Sequence, residues 1–285
     1  MHAIEAMEMM HKMPTVSVLM TVFNGERYLA EALESLRNQT FRDFEVVIVD
    51  DGSTDRSREI IRYYIERDKR FRVIYAQRVG RAAALNLGLR QCRGCFVAVN
   101  DADDISVNNR LAVQVEFLRR NPNVVLVGGW AEVIDENGRI LGRRCPPEGG
   151  WRIKSLLSLG NPIVHSTVMY RRDVLSLIGG FDETLSCAID YDAIERCMRY
   201  GPVSCLPVIV ARHRRHMGQY FRGNISARTR FRTAAKTAVR IAWNHAIWML
   251  PLSIMVYVGA FAPLSSPFMR IAQLIHTRMV HGRHA

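Results

Sequence analysis

Acidic residues are lacking after about residue 195, whereas lysine and arginine become frequent from residue 212 onward. The chain of 285 residues has 39 lysines and arginines against 27 aspartates and glutamates, a formal net charge of +12. Such a protein is expected to bind an anionic partner: nucleic acid, acidic lipid or a phosphorylated small molecule. Because the excess lies near the C-terminus, we expect the basic part to be an appendage with its own partner.

Closely spaced cysteines and an N-terminal secretory segment are also lacking. The six cysteines are scattered, which excludes a dense disulfide scaffold. Residues 1–13 are polar and rich in methionine, unlike the apolar region of a signal peptide. Cys92 and Cys95 have the spacing of a redox or zinc motif, but no second pair completes a zinc site. We therefore expect a cytoplasmic protein with reduced thiols.

Glycine-rich phosphate loops are absent as well. The sequence has no P-loop, and no Gly-x-Gly-x-x-Gly follows its first apolar run. An ATPase or a dinucleotide-dependent enzyme would thus lack its usual phosphate-binding loop. The long apolar stretch at residues 246–264 is interrupted by Pro251 and Pro263, so it predicts either a spanning or an interfacial helix.

Between residues 16 and 119, apolar runs rich in β-forming residues alternate with segments of helical periodicity. Strands are predicted at 16–20, 44–49, 72–76 and 95–99, and helices at 26–37, 56–66, 81–91 and 108–119. Ser53, Thr54 or Asp55 is expected to cap the second helix. This alternation predicts βαβ units with a parallel sheet covered on both faces, a Rossmann-like α/β fold. Further strands at 124–129 and 164–170 predict a mixed, partly antiparallel extension.

Polar and acidic clusters follow three of these strands, at residues 21–24, 50–51 and 101–104. Ligands of open parallel sheets bind at the carboxyl ends of the strands, so the clusters are expected to meet in one crevice. Asp101 and Asp103 offer the oxygen ligands that Mg²⁺ or Mn²⁺ prefers beside a diphosphate. The metal would bind the diphosphate and stabilise it as a leaving group. Alternatively, each cluster alone is a turn or a helix cap.

In combination, these segments and several shorter motifs resemble a family 2 glycosyltransferase with the GT-A fold. The matching residues are 16–24, Glu26, 28–29, 35–36, 39–40, 44–55, Gly80, Asn86, Gly88, Gly94, 101–104 and 179–183. The resemblance covers roughly residues 15–220. It implies a Rossmann-like domain with a mainly parallel mixed sheet flanked by helices, and an inverting transfer from a nucleotide-sugar donor.

The resemblance also implies roles for individual residues. Thr21 and Phe23 resemble the residues that hold uracil, and Asp51 resembles the one that hydrogen-bonds the base. Asp101 would face the ribose and Asp103 the metal. Arg78 or Arg81, beside Gly80, would reach the base or pyrophosphate, and Arg81 is our choice for the nucleotide-sugar site. Surface arginines are the alternative.

Asp190 stands where the family has its general base, a carboxylate that takes the acceptor hydroxyl's proton. Ile189 precedes it where glutamate is common, so Asp192 is an alternative base, and a capping role for Asp190 is another. Residues 214–219 resemble an Arg-x-His-x-x-Gln segment of the family. The resemblance implies that His216 lies near the metal or the diphosphate, and a solvated basic turn is the alternative. His165, within the predicted strand 164–170, would line the acceptor pocket or be a core histidine.

Residues 228–240 place Arg228, Arg232, Lys236 and Arg240 on one helical face, next to Trp243 and Trp248. This pattern favours attachment to an anionic cytoplasmic leaflet. The alternative is a helical pair that packs on the domain. We therefore expect a tail at 1–13, a GT-A domain at 14–222 and a helical C-terminal region at 223–285. The domain would have a nucleotide-binding half at 14–120 and an acceptor half at 121–222.

Together these patterns predict a metal-dependent hexosyltransferase at the cytoplasmic face of the membrane. It would transfer a sugar from a nucleotide-diphosphate sugar, a UDP-sugar by resemblance, to a saccharide or lipid-linked saccharide in surface polysaccharide or glycoconjugate synthesis. One alternative is a nucleotide-sugar-binding pseudoenzyme. The other, a nucleic-acid-binding protein, is disfavoured by the acidic crevice and by the lack of aromatic interleaving among the arginines.

Overall fold

The computed structural model describes residues 13–216 and 226–254. Its strands are β1 Val16–Val22, β2 Phe44–Asp51, β3 Phe71–Ala76, β4 Phe96–Val99, β5 Ile105–Ser106, β6 Leu126–Ile134, β7 Ile140–Arg144, β8 Met169–Arg171 and β9 Val203–Arg214. The α-helices are α1 Leu29–Arg37, α2 Ser57–Arg67, α3 Arg81–Gln91, α4 Arg110–Arg120, α5 Gly150–Leu157, α6 Arg172–Leu177, α7 Ile189–Cys197 and α8 Ala227–His245. Short 3-10 helices lie at His165–Thr167 and Ile247–Met249.

The strands form a single mixed sheet in the order β3-β2-β1-β4-β8-β6-β9-β5, with β7 paired to β6. Strands β1 to β4 are mutually parallel, and β8 joins them in antiparallel pairing. This arrangement confirms the predicted α/β class and its mixed extension. It also brings the carboxyl ends of β1, β2 and β4 to one edge of the sheet.

Both faces of β1, β2 and β4 are buried, which explains their nearly uninterrupted apolar sequences, whereas the edge strand β3 is partly exposed. Leu19 and Val47 point to a core shared with α3 and α7, whereas Val18 and Val46 point to a core with α1, α2 and α4. All four side chains are fully buried. Each such side chain contributes roughly 1.5–3 kcal/mol of transfer free energy, so the sheet is anchored on both sides.

The second half of the chain departs from the predicted pattern in two places. The strand predicted at 164–170 is a 3-10 turn followed by the three-residue strand β8, so His165 lies in the turn. Helix α7 begins at Ile189 after Ala188, which has a left-handed φ of 55°. Asp190 is therefore inside the first turn, and its side chain does not cap the helix. Helix α2 likewise has no side-chain cap, although Asp55 accepts a hydrogen bond from Ser57 N.

Helix α8 packs against α5 and α7 through small and branched residues. Ala235, Ala238, Ile241 and Ala242 are buried in this contact. Arg240 lies 2.5 Å from Asp192 and 2.9 Å from Glu195, both in α7. These acidic residues of α7 hold Arg240 against the domain, which favours the alternative in which the C-terminal helix packs on it.

Across the two described ranges, the helices are too short or too polar to traverse a lipid bilayer. The apolar stretch predicted at 246–264 lies only partly within them. Its residues 255–264 are outside the described residues.

Candidate active site

The loops after β1 and β2 are joined to each other by direct hydrogen bonds. Asn24 N donates to Ser53 Oγ at 3.0 Å, and Thr54 N donates to the Asn24 side chain at 2.8 Å. Gly52, with a φ of 78°, makes the turn that begins the loop after β2. A Cβ there would lie 2.9 Å from Arg78 N, so the position also accommodates the loop that follows β3. The structure thus brings the predicted polar clusters together.

Asp51 lies at the end of β2 and is 2% exposed. Its Oδ1 accepts a hydrogen bond from Val79 N at 2.6 Å, and its Oδ2 accepts one from Gly80 N at 3.1 Å. Its carboxylate also forms an ion pair with Arg78. These bonds hold the loop after β3 against the end of β2.

The Arg78 guanidinium lies 3.6 Å from the ring centroid of Phe23, which is 42% exposed. Arginine over an aromatic face is a favourable cation–π arrangement. Thr21 is two positions before Phe23 and pairs with Val49 in the sheet, which places it beside the end of β2. Phe23, Thr21, Asp51 and Arg78 together form one rim of the crevice.

Asp101 and Arg81 form an ion pair deeper in the crevice. Arg81 Nη2 lies 2.7 Å from Asp101 Oδ1 and 3.3 Å from His165 Nδ1. Burial favours the neutral acid, but the positive charge of Arg81 and its hydrogen bond outweigh this effect, so the pKa of Asp101 lies below its usual value. Asp101 N also donates to Ser166 Oγ at 3.0 Å. The 3-10 turn at His165–Thr167 therefore belongs to the site, although sequence reasoning assigned it to a strand.

Asp103 and Asp104 are adjacent in the chain but differ in exposure and in their partners. The Asp103 side chain is 27% exposed and its Oδ2 lies 2.9 Å from His216 Nε2. The Asp104 side chain is 1% exposed, accepts a hydrogen bond from Arg214 N at 2.8 Å and contacts His213. Oxygen atoms of Asp101, Asp103 and Asp104 all lie within 4.8 Å of one another. Asp103 is the member of this cluster that faces both the crevice and an imidazole.

A buried arginine fixes the backbone from which these aspartates project. Arg110 is fully buried and donates to Asn100 Oδ1 at 3.1 Å, Val99 O at 2.9 Å and Val168 O at 3.2 Å. Burial lowers the pKa of Arg110 to about 9. Sequence reasoning missed this residue, because an arginine at the start of an amphipathic helix has the pattern of a surface residue.

Asp190 lies in the first turn of α7 and is partly exposed. Its Oδ2 accepts a hydrogen bond from Asn161 Nδ2 at 2.8 Å. Asp192, the alternative base, is buried and lies 2.7 Å from Arg196 and 2.5 Å from Arg240. The two aspartates of α7 are thus held by different partners, and only Asp190 faces the segment before His165.

His165 is 6% exposed and its ring lies 5.8 Å from that of Phe181. Burial lowers the pKa of His165, against the opposing charges of Asp190 and Asp101. Because arginine can only donate, Nδ1 of His165 accepts from Arg81 and the imidazole is neutral. His165 is therefore both a buried histidine and a contact of the crevice's central ion pair.

The model of the family described as Glycosyl transferase family 2 matches residues 17–179, more than half of the chain. This chain belongs to glycosyl transferase family 2. The match confirms the resemblance to this family that the sequence motifs indicated. The match includes the loops that carry Phe23, Asp51 and Asp103.

Similar proteins support this membership. An uncharacterized glycosyltransferase of Methanocaldococcus jannaschii is 36% identical over 189 residues, which are 65% of this chain and 65% of that protein. The chain spans 48% to 65% of the length of the first curated relatives that it matches.

Among solved structures, Staphylococcus aureus TarS 1-349 in complex with UDP-GlcNAc has a TM-score of 0.69 at 21% identity. The similarity covers 93% of this chain and 81% of that one. The Pyrobaculum calidifontis mannosyltransferase PcManGT, in complex with GDP-Man and Mn²⁺, has a TM-score of 0.64 at 21% identity, over 95% of this chain and 84% of that one. These two structures share the fold.

Proposed function

We propose that this glycosyltransferase is an inverting, divalent-metal-dependent enzyme that transfers a sugar from a UDP-sugar to a saccharide or lipid-linked saccharide acceptor. The observation that carries the proposal is the convergence of Asp51, Asp101, Asp103 and Asp190 on one crevice, where each has a different partner. Loops from distant parts of the sequence are held together there by the contacts described above. Surface polysaccharide or glycoconjugate synthesis is the setting that we infer for such a transfer.

The rim of Thr21, Phe23, Asp51 and Arg78 is suited to a nucleobase. An exposed phenylalanine ring offers a stacking surface, and stacking on aromatic side chains stabilises bases by about 1–3 kcal/mol. Asp51 Oδ1 accepts one described hydrogen bond, from Val79 N, and a carboxylate oxygen can accept two. The second position would accept the N–H of a uracil ring. Asp101, held by Arg81, would face the ribose.

The donor set of Asp103 and His216 fits a divalent cation. A carboxylate oxygen and an imidazole nitrogen 2.9 Å apart are suitable ligands for Mn²⁺, and a carboxylate beside a diphosphate suits Mg²⁺. When bound, the cation would neutralise the diphosphate leaving group. Asp103 would hold that cation from the loop after β4, and His216 would hold it from the segment after β9.

Asp190 is the residue that we assign as general base. Its carboxylate would take the proton of the acceptor hydroxyl as that oxygen attacks the anomeric carbon from the side opposite the diphosphate. One displacement of this kind inverts the anomeric configuration. Asp192 is unsuited to the role because Arg196 and Arg240 already hold both of its oxygens.

We also propose the division of the chain at about residue 222 and attachment of its C-terminal region to an anionic membrane surface. Trp243 and Trp248 are 66% and 57% exposed, and Trp151 of α5 lies 6.3 Å from Trp248 between ring centroids. Exposed tryptophans beside basic residues favour the lipid interface. Sedimentation with vesicles containing anionic lipid, compared with neutral vesicles, tests this; equal recovery in both supernatants would contradict it.

The experiment for the enzymatic proposal has two parts. Thermal unfolding with UDP, GDP or dTDP, each with and without Mn²⁺, identifies the nucleotide. Proton NMR of the product of the matching nucleotide sugar then reports the anomeric configuration. Retention of configuration would overturn the inverting mechanism, and nucleotide binding without any turnover would identify a pseudoenzyme instead.

A further inference from the structure

Asn161 lies where the segment after α5 approaches the first turn of α7. Its Oδ1 accepts a hydrogen bond from Ile163 N at 3.0 Å, and its Nδ2 donates to Asp190 Oδ2 at 2.8 Å. The reversed amide would set an N–H group against Ile163 N and an oxygen against a carboxylate. The two partners therefore fix the orientation of the amide.

The backbone of this segment is restrained as well. Pro162 follows Asn161, and a residue that precedes proline is confined largely to extended conformations. One position after Asp190, the Tyr191 hydroxyl donates to Leu157 O at the end of α5. Two adjacent residues of α7 are thus bonded to the same segment: the Asp190 carboxylate accepts from Asn161, and the Tyr191 hydroxyl donates to the Leu157 carbonyl.

We propose that Asn161 is a positioning residue that holds Asp190 by one oxygen and presents the other, Oδ1, to the acceptor hydroxyl. The inference rests on the assignment of Asp190 as general base. A hydrogen bond donated to a carboxylate stabilises its charged form, which is the form that accepts a proton. Asn161 thus contributes to the orientation of the base.

Other charged and titratable groups also face Asp190, and they are the background against which Asn161 acts. Arg81 and Arg144 are cations whose positive charges interact with Asp190. His165 is buried, and its imidazole is neutral because Nδ1 accepts from Arg81. Tyr170 and Tyr191 are buried phenols with a pKa raised well above the ordinary value by burial, so they remain uncharged. Against this background, Asn161 donates a hydrogen bond to an Asp190 oxygen at 2.8 Å.

The test compares Asn161→Ala and Asn161→Asp with Tyr191→Phe in the full chain. Loss of a hydrogen bond to a charged group is expected to lower kcat by about 10- to 100-fold, with the donor KM within about twofold. The acidic limb of the kcat profile is expected to move to higher pH in Asn161→Ala, because the carboxylate loses a hydrogen-bond donor. Asn161→Asp, which keeps the shape but adds a second carboxylate, is expected to move it further.

Tyr191→Phe is the matched control, because it removes a bond between the same two segments without touching a carboxylate. It is expected to lower the melting temperature and to leave the acidic limb in place. An unchanged kcat and pH profile in Asn161→Ala would overturn the inference, as would an equal shift of the limb in Tyr191→Phe. Activity retained by Asp190→Asn would overturn the proposed base itself, and this inference with it.

Discussion

His216 Nε2 lies 2.9 Å from Asp103 Oδ2, although 113 positions separate the two residues. The contact joins the loop after β4 to the segment after β9, across the antiparallel pair of β5 and β9. A carboxylate and an imidazole held together at the open side of an acidic cluster form a pair that can share a cation. The first prediction follows from this pair.

Replacement of Asp103 or His216 by alanine is expected to abolish the Mn²⁺-dependent part of nucleotide binding. In the parent protein, a nucleotide at a hundredfold excess over its Kd raises stability by about 2.7 kcal/mol. Thermal unfolding with the matching nucleotide, with and without Mn²⁺, measures the loss. Asp173→Ala, an exposed aspartate in α6, serves as the control. A Mn²⁺-dependent shift that survives in Asp103→Ala would contradict the metal site.

Asp190→Asn is expected to reduce kcat by about 10²- to 10⁴-fold while nucleotide binding is retained, because only proton removal is lost. Asp192→Asn is the paired variant on the same helix. It would weaken the contacts with Arg196 and Arg240 and lower the melting temperature, with a much smaller effect on kcat per folded molecule. The reverse ranking in a steady-state transfer assay would identify Asp192 as the base.

Phe23→Ala is expected to raise the donor KM by about 10-fold through loss of base stacking, with little change in kcat. Tyr63→Ala is a close control, because Arg67 lies 3.7 Å from the Tyr63 ring just as Arg78 lies 3.6 Å from that of Phe23. Tyr63 is also exposed, but on α2. Equal effects of the two variants on donor KM would show that Phe23 has no special part in binding the nucleotide.

Glu45, near the start of β2, makes the stability of the protein depend on pH. Burial opposes ionisation, but hydrogen bonds from Ser17, Arg93 and Arg72 outweigh it, so the pKa of Glu45 lies below its usual value. A carboxyl group with a lowered pKa in the folded state stabilises the protein above its unfolded pKa. This stabilisation is lost as pH falls through the folded pKa.

Glu45→Gln is therefore expected to lower the free energy of unfolding by about 3 kcal/mol at pH 7 and by less at pH 3. Urea titrations at the two pH values measure the difference. The Glu66 side chain is 61% exposed and pairs with Arg67, so Glu66→Gln is expected to change the free energy of unfolding by less than about 1 kcal/mol. A constant destabilisation by Glu45→Gln across this range would exclude an ionic contribution.

The nucleotide half of the fold was predictable because its signals are local. Strands β1, β2 and β4 are buried on both faces, and the helices that alternate with the strands have their own periodicity. The acceptor half depends on distant contacts. Strand β8 has three residues and is flanked by a 3-10 turn, so residues 164–170 have the composition of one longer strand. His165 was consequently assigned to the wrong element.

The site was predictable to a similar degree. Residues that follow strands, such as Asp51 and Asp103, could be placed at the crevice from the sheet pattern alone. The partners that hold them could not. Asn161 lies in a loop without a periodic signal, and only Pro162 beside it indicates a restrained backbone. Arg240 has the spacing of a surface cation, and its partners in α7 are 48 and 45 positions away in the chain.

The bridge from Arg240 to Asp192 and Glu195 couples the C-terminal helix to the helix that carries Asp190. A displacement of α8 would therefore be transmitted to α7, two residues from the proposed base. We expect deletion of α8 to change turnover even with a freely diffusing acceptor, so that truncation would combine the loss of this support with any detachment from lipid.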